Sequence, residues 1–217
     1  MKILFIGNSF TFVNDLPAML TEIAEKDGIA LTAGAVYRGG AYLRQFADPA
    51  HELGIRLRKQ YEAEKWDAVV LQDQSFNPAK DPADHRAAVE KIIADVVKNG
   101  EKIYLYQTWA YRDGTEKLNS TGMTYEEMRT ALRESYEASA KAVNGVRVPV
   151  GDAFALGTEK GIDMYTPDDY HPSPVGTYAA ACLFFRYILG KTPTEKAVPD
   201  GLDPECAAVL RSCAGAV

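Results

Sequence analysis

The sequence has few cysteines, no long apolar run and no cluster of positive charge, and each shortage excludes a class of protein. The three cysteines, Cys182, Cys206 and Cys213, form an odd set without Cys-x-x-Cys spacing. Such a set argues against a disulfide framework and against a zinc site. The longest apolar stretch, Tyr178 to Phe185, is about eight residues, whereas a membrane-spanning helix needs ~20. We therefore expect no metal and no membrane partner.

Charge and composition narrow the possibilities further. Lys and Arg number 24 and Asp and Glu number 30, so the formal net charge is −6. The only basic run, residues 56–59, precedes acidic residues and is typical of a solvated helix face, so no nucleic-acid partner is expected. The apolar run at residues 3–6 is too short for a signal peptide, which predicts a cytoplasmic location unless a signal has been removed.

Strand-like and helix-like patterns alternate along the whole chain. With 47% hydrophobic residues and no Pro/Gly/Ser-rich linker, residues 1–217 are predicted to form one folded domain. Alternation of this kind predicts a five-stranded parallel sheet with helices on both sides. Strands are predicted at residues 3–6, 30–36, 67–71, 103–106 and 146–150, and helical stripes at 16–23, 51–65, 89–97, 124–136 and 175–189. The irregular stretch 108–123 is a candidate lid or binding loop.

In such a sheet, ligands bind beyond the carboxyl ends of the strands. Ser9 follows the first strand, at a turn into a helix where free backbone N–H groups could hold an oxyanion. A serine hydroxyl needs a histidine base, itself oriented by a carboxylate. His51 and His85 are expected on solvated helix faces. His171 lies at the rim of the sheet, with Asp168 three residues before it, although an Asx turn would explain the same residues.

Together these residues resemble the SGNH or GDSL hydrolases, and in particular an uncharacterised bacterial branch of that superfamily of serine esterases. The resemblance implies a three-layer, flavodoxin-like α/β sandwich without a cofactor. Gly7-Asn8-Ser9 stands where the family has Gly-Asp-Ser, and Asp168-x-x-His171 matches its C-terminal block. Ser9 would be the nucleophile, His171 the base and Asp168, or alternatively Asp169, the carboxylate.

The resemblance also implies an oxyanion hole. Its donors would be the N–H groups of Ser9 and Gly40 and a side-chain amide after the third strand. Gly40 follows Gly39 after the second strand. The family has Gly-x-Asn there, whereas this chain has Gln72-Asp73-Gln74. Gln74, or alternatively Asn77, would complete the hole. The change from Asp to Asn at position 8 is expected to matter little, because that side chain is not the base.

The predicted function is that of an ester hydrolase acting on a small molecule, with an acetylated sugar favoured because Trp109 and Tyr111 could line a pocket. Gly39, Asn77 and Trp109 are candidate substrate-binding residues. Two alternatives remain open at this stage. One is a flavodoxin-like module that binds a phosphate or nucleotide at the turn around Ser9. The other is a degenerate relative that only binds glycans.

Overall fold

Five parallel strands form the sheet of this computed structural model, which describes residues 1–217. The strands are β1 (Lys2–Gly7), β2 (Thr32–Tyr37), β3 (Ala68–Leu71), β4 (Lys102–Tyr106) and β5 (Val146–Val148). Their spatial order is β2-β1-β3-β4-β5, so the chain order reverses between β1 and β3, where ligands bind in doubly wound sheets. Ile3 of the interior strand β1 pairs with Ala33 on one side and Ala68 on the other. The predicted α/β sandwich is confirmed.

Helices cover both faces of the sheet in two groups that pack among themselves. The helices are α1 (Ser9–Phe12), α2 (Leu16–Lys26), α3 (Leu43–Ala47), α4 (Glu52–Ala63), α5 (Asn77–Lys80), α6 (Pro82–Asp95), α7 (Glu116–Asn119), α8 (Tyr125–Ala142), α9 (Val150–Glu159), α10 (Pro174–Leu189) and α11 (Pro204–Ala216). One group contains α2, α9, α10 and α11, and the other contains α3, α4, α5, α6 and α8.

Among the helices of ten residues or more, the sequence pattern did not predict two, α9 and α11. α9 contains Gly151 and Gly157, which lower helix propensity. Gly151 is needed there, because a Cβ at this position would lie 2.3 Å from the carbonyl oxygen of Thr108. α11 did carry a signal, since Asp203 caps it through the N–H of Cys206 at 2.8 Å and Pro204 occupies its first position. The short helix α7 also interrupts the stretch 108–123, which was expected to be irregular.

The end of β1 is closely packed around Gly7. Residues 3–6 are fully buried, as expected for a central parallel strand. A Cβ added at Gly7 would lie 2.5 Å from Gln72 Oε1 and 2.6 Å from Thr11 Oγ1. Both of those side chains are buried, and they hydrogen-bond to each other at 2.9 Å. Glycine at this position therefore lets β3 and α1 approach the residue that leads into Ser9.

We predict that Gly7→Ala lowers the free energy of unfolding by about 1–3 kcal/mol, because the new methyl group must displace a buried, hydrogen-bonded amide. Urea denaturation followed by circular dichroism measures this change. Gly215→Ala is the control, since nothing lies within 4 Å of its Cβ. The control should stay within about 0.5 kcal/mol of wild type. Equal stability of all three proteins would contradict the close packing at Gly7.

Candidate active site

Ser9 is the first residue of α1 and follows the carboxyl end of β1 almost directly. Asn8 caps the helix, and its Oδ1 accepts a hydrogen bond from the N–H of Phe10 at 3.1 Å. The first N–H groups of a helix have no carbonyl acceptor within the helix. The start of α1 therefore presents both the Ser9 hydroxyl and the Ser9 N–H at the edge of the sheet.

Three side chains from opposite ends of the chain meet at this edge. Ser9 Oγ lies 2.7 Å from His171 Nε2, and His171 Nδ1 lies 2.6 Å from Asp168 Oδ2. When Nδ1–H donates to the carboxylate, Nε2 presents its lone pair to the hydroxyl. This is the arrangement of a Ser-His-Asp triad, in which the histidine can take the serine proton.

A tight turn holds Asp168 against the imidazole. Its Oδ1 accepts hydrogen bonds from Thr166 Oγ1 at 2.7 Å, from the N–H of His171 at 3.0 Å and from that of Tyr170 at 3.2 Å. Asp169 has a left-handed backbone, with φ at 69°, and its carboxylate lies 2.9 Å from Arg112 Nε. Asp168 is thus the carboxylate that contacts the imidazole, and Asp169 is not.

The surroundings of Asp168 favour its charged form. Partial burial raises its pKa, but the hydrogen bonds from the imidazole, the backbone N–H groups and the Thr166 hydroxyl outweigh that effect. The pKa of Asp168 is therefore held well below its ordinary value. The carboxylate stays ionised at neutral pH, where it can stabilise an imidazolium at His171.

Trp109 supports the His171 loop from inside the molecule. Its side chain is stacked between Phe10, at 4.5 Å between ring centroids, and Phe154, at 3.8 Å. Its Nε1–H donates to the carbonyl oxygen of Tyr170 at 3.0 Å. The residue is only 1% exposed, so the indole is not open to a substrate as the sequence analysis expected. It instead joins the helix that bears Ser9 to the residue preceding His171.

Two glycines follow β2 beside this triad. Gly40 has a φ of 66°, which glycine adopts readily, and both Gly39 and Gly40 are exposed. The N–H of Gly40 donates no hydrogen bond within the protein. It is therefore available to a ligand at the same edge of the sheet as the Ser9 N–H.

Gln74 and Asn77 differ sharply in what their amides can still bind. Gln74 Oε1 accepts from the N–H groups of Phe76 and Asn77, both at 2.9 Å, while its Nε2 donates to Ser75 Oγ at 3.3 Å. One Nε2 hydrogen of Gln74 remains free. Asn77 Nδ2 donates to Asp73 and to Asp84, both at 2.9 Å, which uses both of its hydrogens. Asn77 thus has no free amide hydrogen with which to act as the alternative oxyanion donor.

Comparison with known proteins places this geometry in a family. No protein-family model and no curated protein matches the sequence, whereas solved structures do. A Slackia heliotrinireducens protein, provisionally described as an SGNH hydrolase, is 30% identical over 87% of this chain and 98% of that chain, with a TM-score of 0.79. The chain belongs to the SGNH hydrolases.

More distant structures share the fold of this SGNH hydrolase. A DUF4886 family protein from Bacteroides uniformis has a TM-score of 0.82 at 22% identity, covering 99% of this chain and 93% of that one. Axe2, an acetylxylan esterase from Geobacillus stearothermophilus, has a TM-score of 0.62 at 19% identity, covering 86% and 93%. At these identities the likeness shows the fold alone.

Asn8 has a larger structural role than the sequence analysis expected. Its Nδ2 donates to the carbonyl oxygens of Ala41, at 3.0 Å, and of Asp73, at 3.1 Å. Its Oδ1 also accepts from Gln72 Nε2 at 2.9 Å. The amide therefore joins the loops that follow β1, β2 and β3. An aspartate cannot donate to two carbonyl oxygens, so we infer that the change from Asp to Asn at position 8 matters for the packing of these loops although the side chain is not the base.

A buried histidine–aspartate contact that the sequence analysis missed adjoins Asn8 through Asp73. His85 was expected on a solvated helix face, but it is 0% exposed, and its Nδ1 lies 3.0 Å from Asp73 Oδ2. Asp73 also accepts from the N–H groups of Leu43, at 2.8 Å, and Gln74, at 2.7 Å. Burial raises the pKa of Asp73, yet His85, the Asn77 amide and the N–H of Leu43 together hold it below its ordinary value. We call Asn8, Gln72, Asp73, Asn77 and His85 the polar network.

The remaining predictions concern residues away from the triad. His51 is partly exposed and caps α4, where its Nδ1 accepts from the N–H of Leu53 at 3.1 Å. No three His, Cys, Asp or Glu side chains come together in a way that could hold a metal ion. None of the helices combines the length and the apolar character needed to cross a membrane.

We predict that Asn8→Asp, although it restores the family's usual residue, destabilises this protein by about 1–3 kcal/mol at neutral pH. The new carboxylate would face two carbonyl oxygens, so its pKa in the folded state would lie above that in the unfolded state. The folded state would then bind the extra proton, and the stability deficit should shrink as the pH falls towards 5. Thermal unfolding between pH 5 and 8 measures this.

The matched control is Asn119→Asp, at an exposed position whose side chain forms no hydrogen bond. Its stability should follow that of wild type at every pH. A deficit of Asn8→Asp that is absent at pH 7, or that grows as the pH falls, would contradict the donor role of the Asn8 amide.

Proposed function

We propose that this protein is a serine ester hydrolase that removes a small acyl group, such as acetyl, from a carbohydrate or another small alcohol. The observation that carries the proposal is the pair of short contacts from Ser9 to His171 and from His171 to Asp168. The distances are those at which a serine nucleophile is activated by a histidine base. The acetylxylan esterase activity of a structural neighbour supports the choice of a sugar ester.

The proposed reaction passes through an acyl-enzyme. His171 Nε2 takes the Ser9 proton as Oγ attacks the ester carbonyl, and Asp168 stabilises the resulting imidazolium. His171 then gives the proton to the departing alcohol oxygen. Water, activated by the same nitrogen, hydrolyses the acyl group from Ser9 and restores the hydroxyl.

Three donors would stabilise the tetrahedral oxyanion. They are the N–H of Ser9, the N–H of Gly40 and the free Nε2 hydrogen of Gln74. The two bonds accepted by Gln74 Oε1 fix the orientation of that amide, so the longer side chain is held in place rather than left flexible. Gln74 can thus perform the role of the family's asparagine.

The geometry gives less support to phosphate binding at the turn around Ser9. Thr11 is fully buried, and its hydroxyl donates to Gln72. The Ser9 hydroxyl already contacts His171, and α1 contains no basic residue. A phosphate at this turn would therefore lack both hydroxyl donors and a balancing charge.

We predict that Ser9→Ala lowers the turnover of 4-nitrophenyl acetate by about 10³-fold or more, because no other side chain at the site can form the acyl-enzyme. The variant should also take no label from a fluorophosphonate probe, which wild type should take once per chain. Ser212→Ala, at an exposed serine outside the site, is the control. Folded wild-type protein that neither reacts with the probe nor hydrolyses any aryl or sugar acetate would overturn the proposal.

We predict that Asp168→Asn lowers kcat by about 10³- to 10⁴-fold, since an amide can neither fix the required imidazole tautomer nor balance the imidazolium charge. Asp169→Asn is a matched neighbour that contacts Arg112 and not His171. Its kcat should change by less than about threefold, in line with the small energies of exposed ion pairs. Steady-state kinetics of both variants on one ester checks the assignment. Equal losses would show that the turn, and not the Asp168 carboxylate, matters.

A further inference from the structure

A cavity of about 410 Å³, a size that suits a small ligand, opens between the loop after β3 and the segment 111–121. Gln74 forms part of its wall, so the cavity adjoins the proposed oxyanion hole. Lys117 links it to the base: its Nζ lies 4.1 Å from the ring centroid of Tyr170, and that ring lies 4.1 Å from the imidazole of His171. We call this cavity the cationic pocket, and its side chains include Tyr42, Arg44, Phe76, Lys80, Tyr111 and Lys117.

The charges around the pocket are mostly positive, although the whole chain has a net charge of −6. Arg44 is paired with Asp84 at 2.8 Å. Asp81 is the one acidic residue in the wall, and its side chain caps α6 by accepting from the N–H of Asp84 at 3.0 Å. Lys80 and Lys117 have no carboxylate within 4.0 Å. Two ammonium groups at this pocket thus have no charged partner in the protein.

The aromatic residues hold one of these ammonium groups at the pocket. Lys117 Nζ lies over the ring of Tyr170 and 5.2 Å from the ring centroid of Tyr111, rather than extending into water. Tyr111 is itself fixed, because it is buried and its hydroxyl lies 2.7 Å from Ser75 Oγ. A lysine held in this way would lose little side-chain freedom when it binds an anion.

We propose that the cationic pocket binds the alcohol part of the ester, and that this part carries a carboxylate or phosphate bound by Lys80 and Lys117. The inference rests on the proposed hydrolase function and specifies its substrate. The partly exposed rings of Tyr42 and Phe76 offer apolar surface for a sugar ring, while the two lysines supply the charge that a neutral acetylated sugar would leave unused.

The first test compares kcat/KM for three acetylated sugars: a methyl glucoside, the matching methyl glucuronoside and glucose 6-phosphate. We expect kcat/KM of wild type to be about tenfold or more higher for at least one of the two anionic esters than for the neutral one. Which of the two is preferred tells whether the pocket binds a carboxylate or a phosphate. High salt should reduce the preference, because it screens exposed charges.

The variants Lys80→Gln and Lys117→Gln should each reduce the ratio of anionic to neutral kcat/KM by roughly fivefold, the upper range for an exposed ion pair. The ratio, rather than the rate, is the readout, since Lys117 also contacts Tyr170. Lys59→Gln is the control: this lysine is exposed on α4, lies outside the pocket and lacks a carboxylate partner. Its ratio should equal that of wild type.

A binding measurement separates this inference from the catalytic proposal. Calorimetry should show that the Ser9→Ala protein binds the deacetylated glucuronoside or glucose 6-phosphate more tightly than it binds methyl glucoside. Adding Lys80→Gln to that protein should weaken the binding of the anionic sugar. Hydrolysis of all three esters at equal rates, with no effect of either lysine variant on the ratio, would overturn the pocket assignment while leaving the hydrolase intact. Absence of any hydrolysis would instead count against the proposed function.

Discussion

The Asn8 amide is the interaction on which the site geometry depends. Its four hydrogen-bonding positions contact the N–H of Phe10, Gln72 Nε2 and the carbonyl oxygens of Ala41 and Asp73. Polar groups buried this deeply cost free energy unless each is paired, so the three loops cannot separate without leaving partners unsatisfied. Because Ser9 follows Asn8 directly, and Gly40 and Gln74 each adjoin an Asn8 partner, the amide fixes the nucleophile and the three proposed oxyanion donors relative to one another.

The histidine side of the triad is positioned by a different device, aromatic packing. His171 comes from a turn 162 residues beyond Ser9, and the two meet through the stack of Phe10, Trp109 and Phe154. Asn14 reinforces this contact, since its Nδ2 donates to the carbonyl oxygen of Pro172 at 2.9 Å. The nucleophile is thus held by the four hydrogen bonds of the Asn8 amide and the base by an aromatic stack that includes Phe10 of α1.

Features that depend on neighbouring residues could be predicted from the sequence, whereas features that depend on tertiary contacts could not. The strands are short apolar runs and the Asp168 turn is a four-residue pattern, so both can be recognised from the sequence. His85 is different, because its buried position in α6 depends on a contact with Asp73, twelve residues earlier in the loop after β3. Its own neighbours in the sequence, Asp84 and Arg86, are charged and suggest a solvent-exposed helix face. Trp109 and Asn77 were likewise assigned by residue type, whereas their partners are set by tertiary packing.

The exposure of the triad bears on the fate of an acyl-enzyme. The Asp168 side chain is 44% exposed and that of His171 is 17% exposed, so the imidazole lies at the surface of the protein rather than in a closed chamber. A site that transfers its acyl group to a second alcohol must exclude water, because water competes at the same carbonyl. The exposed edges of Asp168 and His171 leave this site accessible to water, which is the second substrate that hydrolysis of an acyl-enzyme requires.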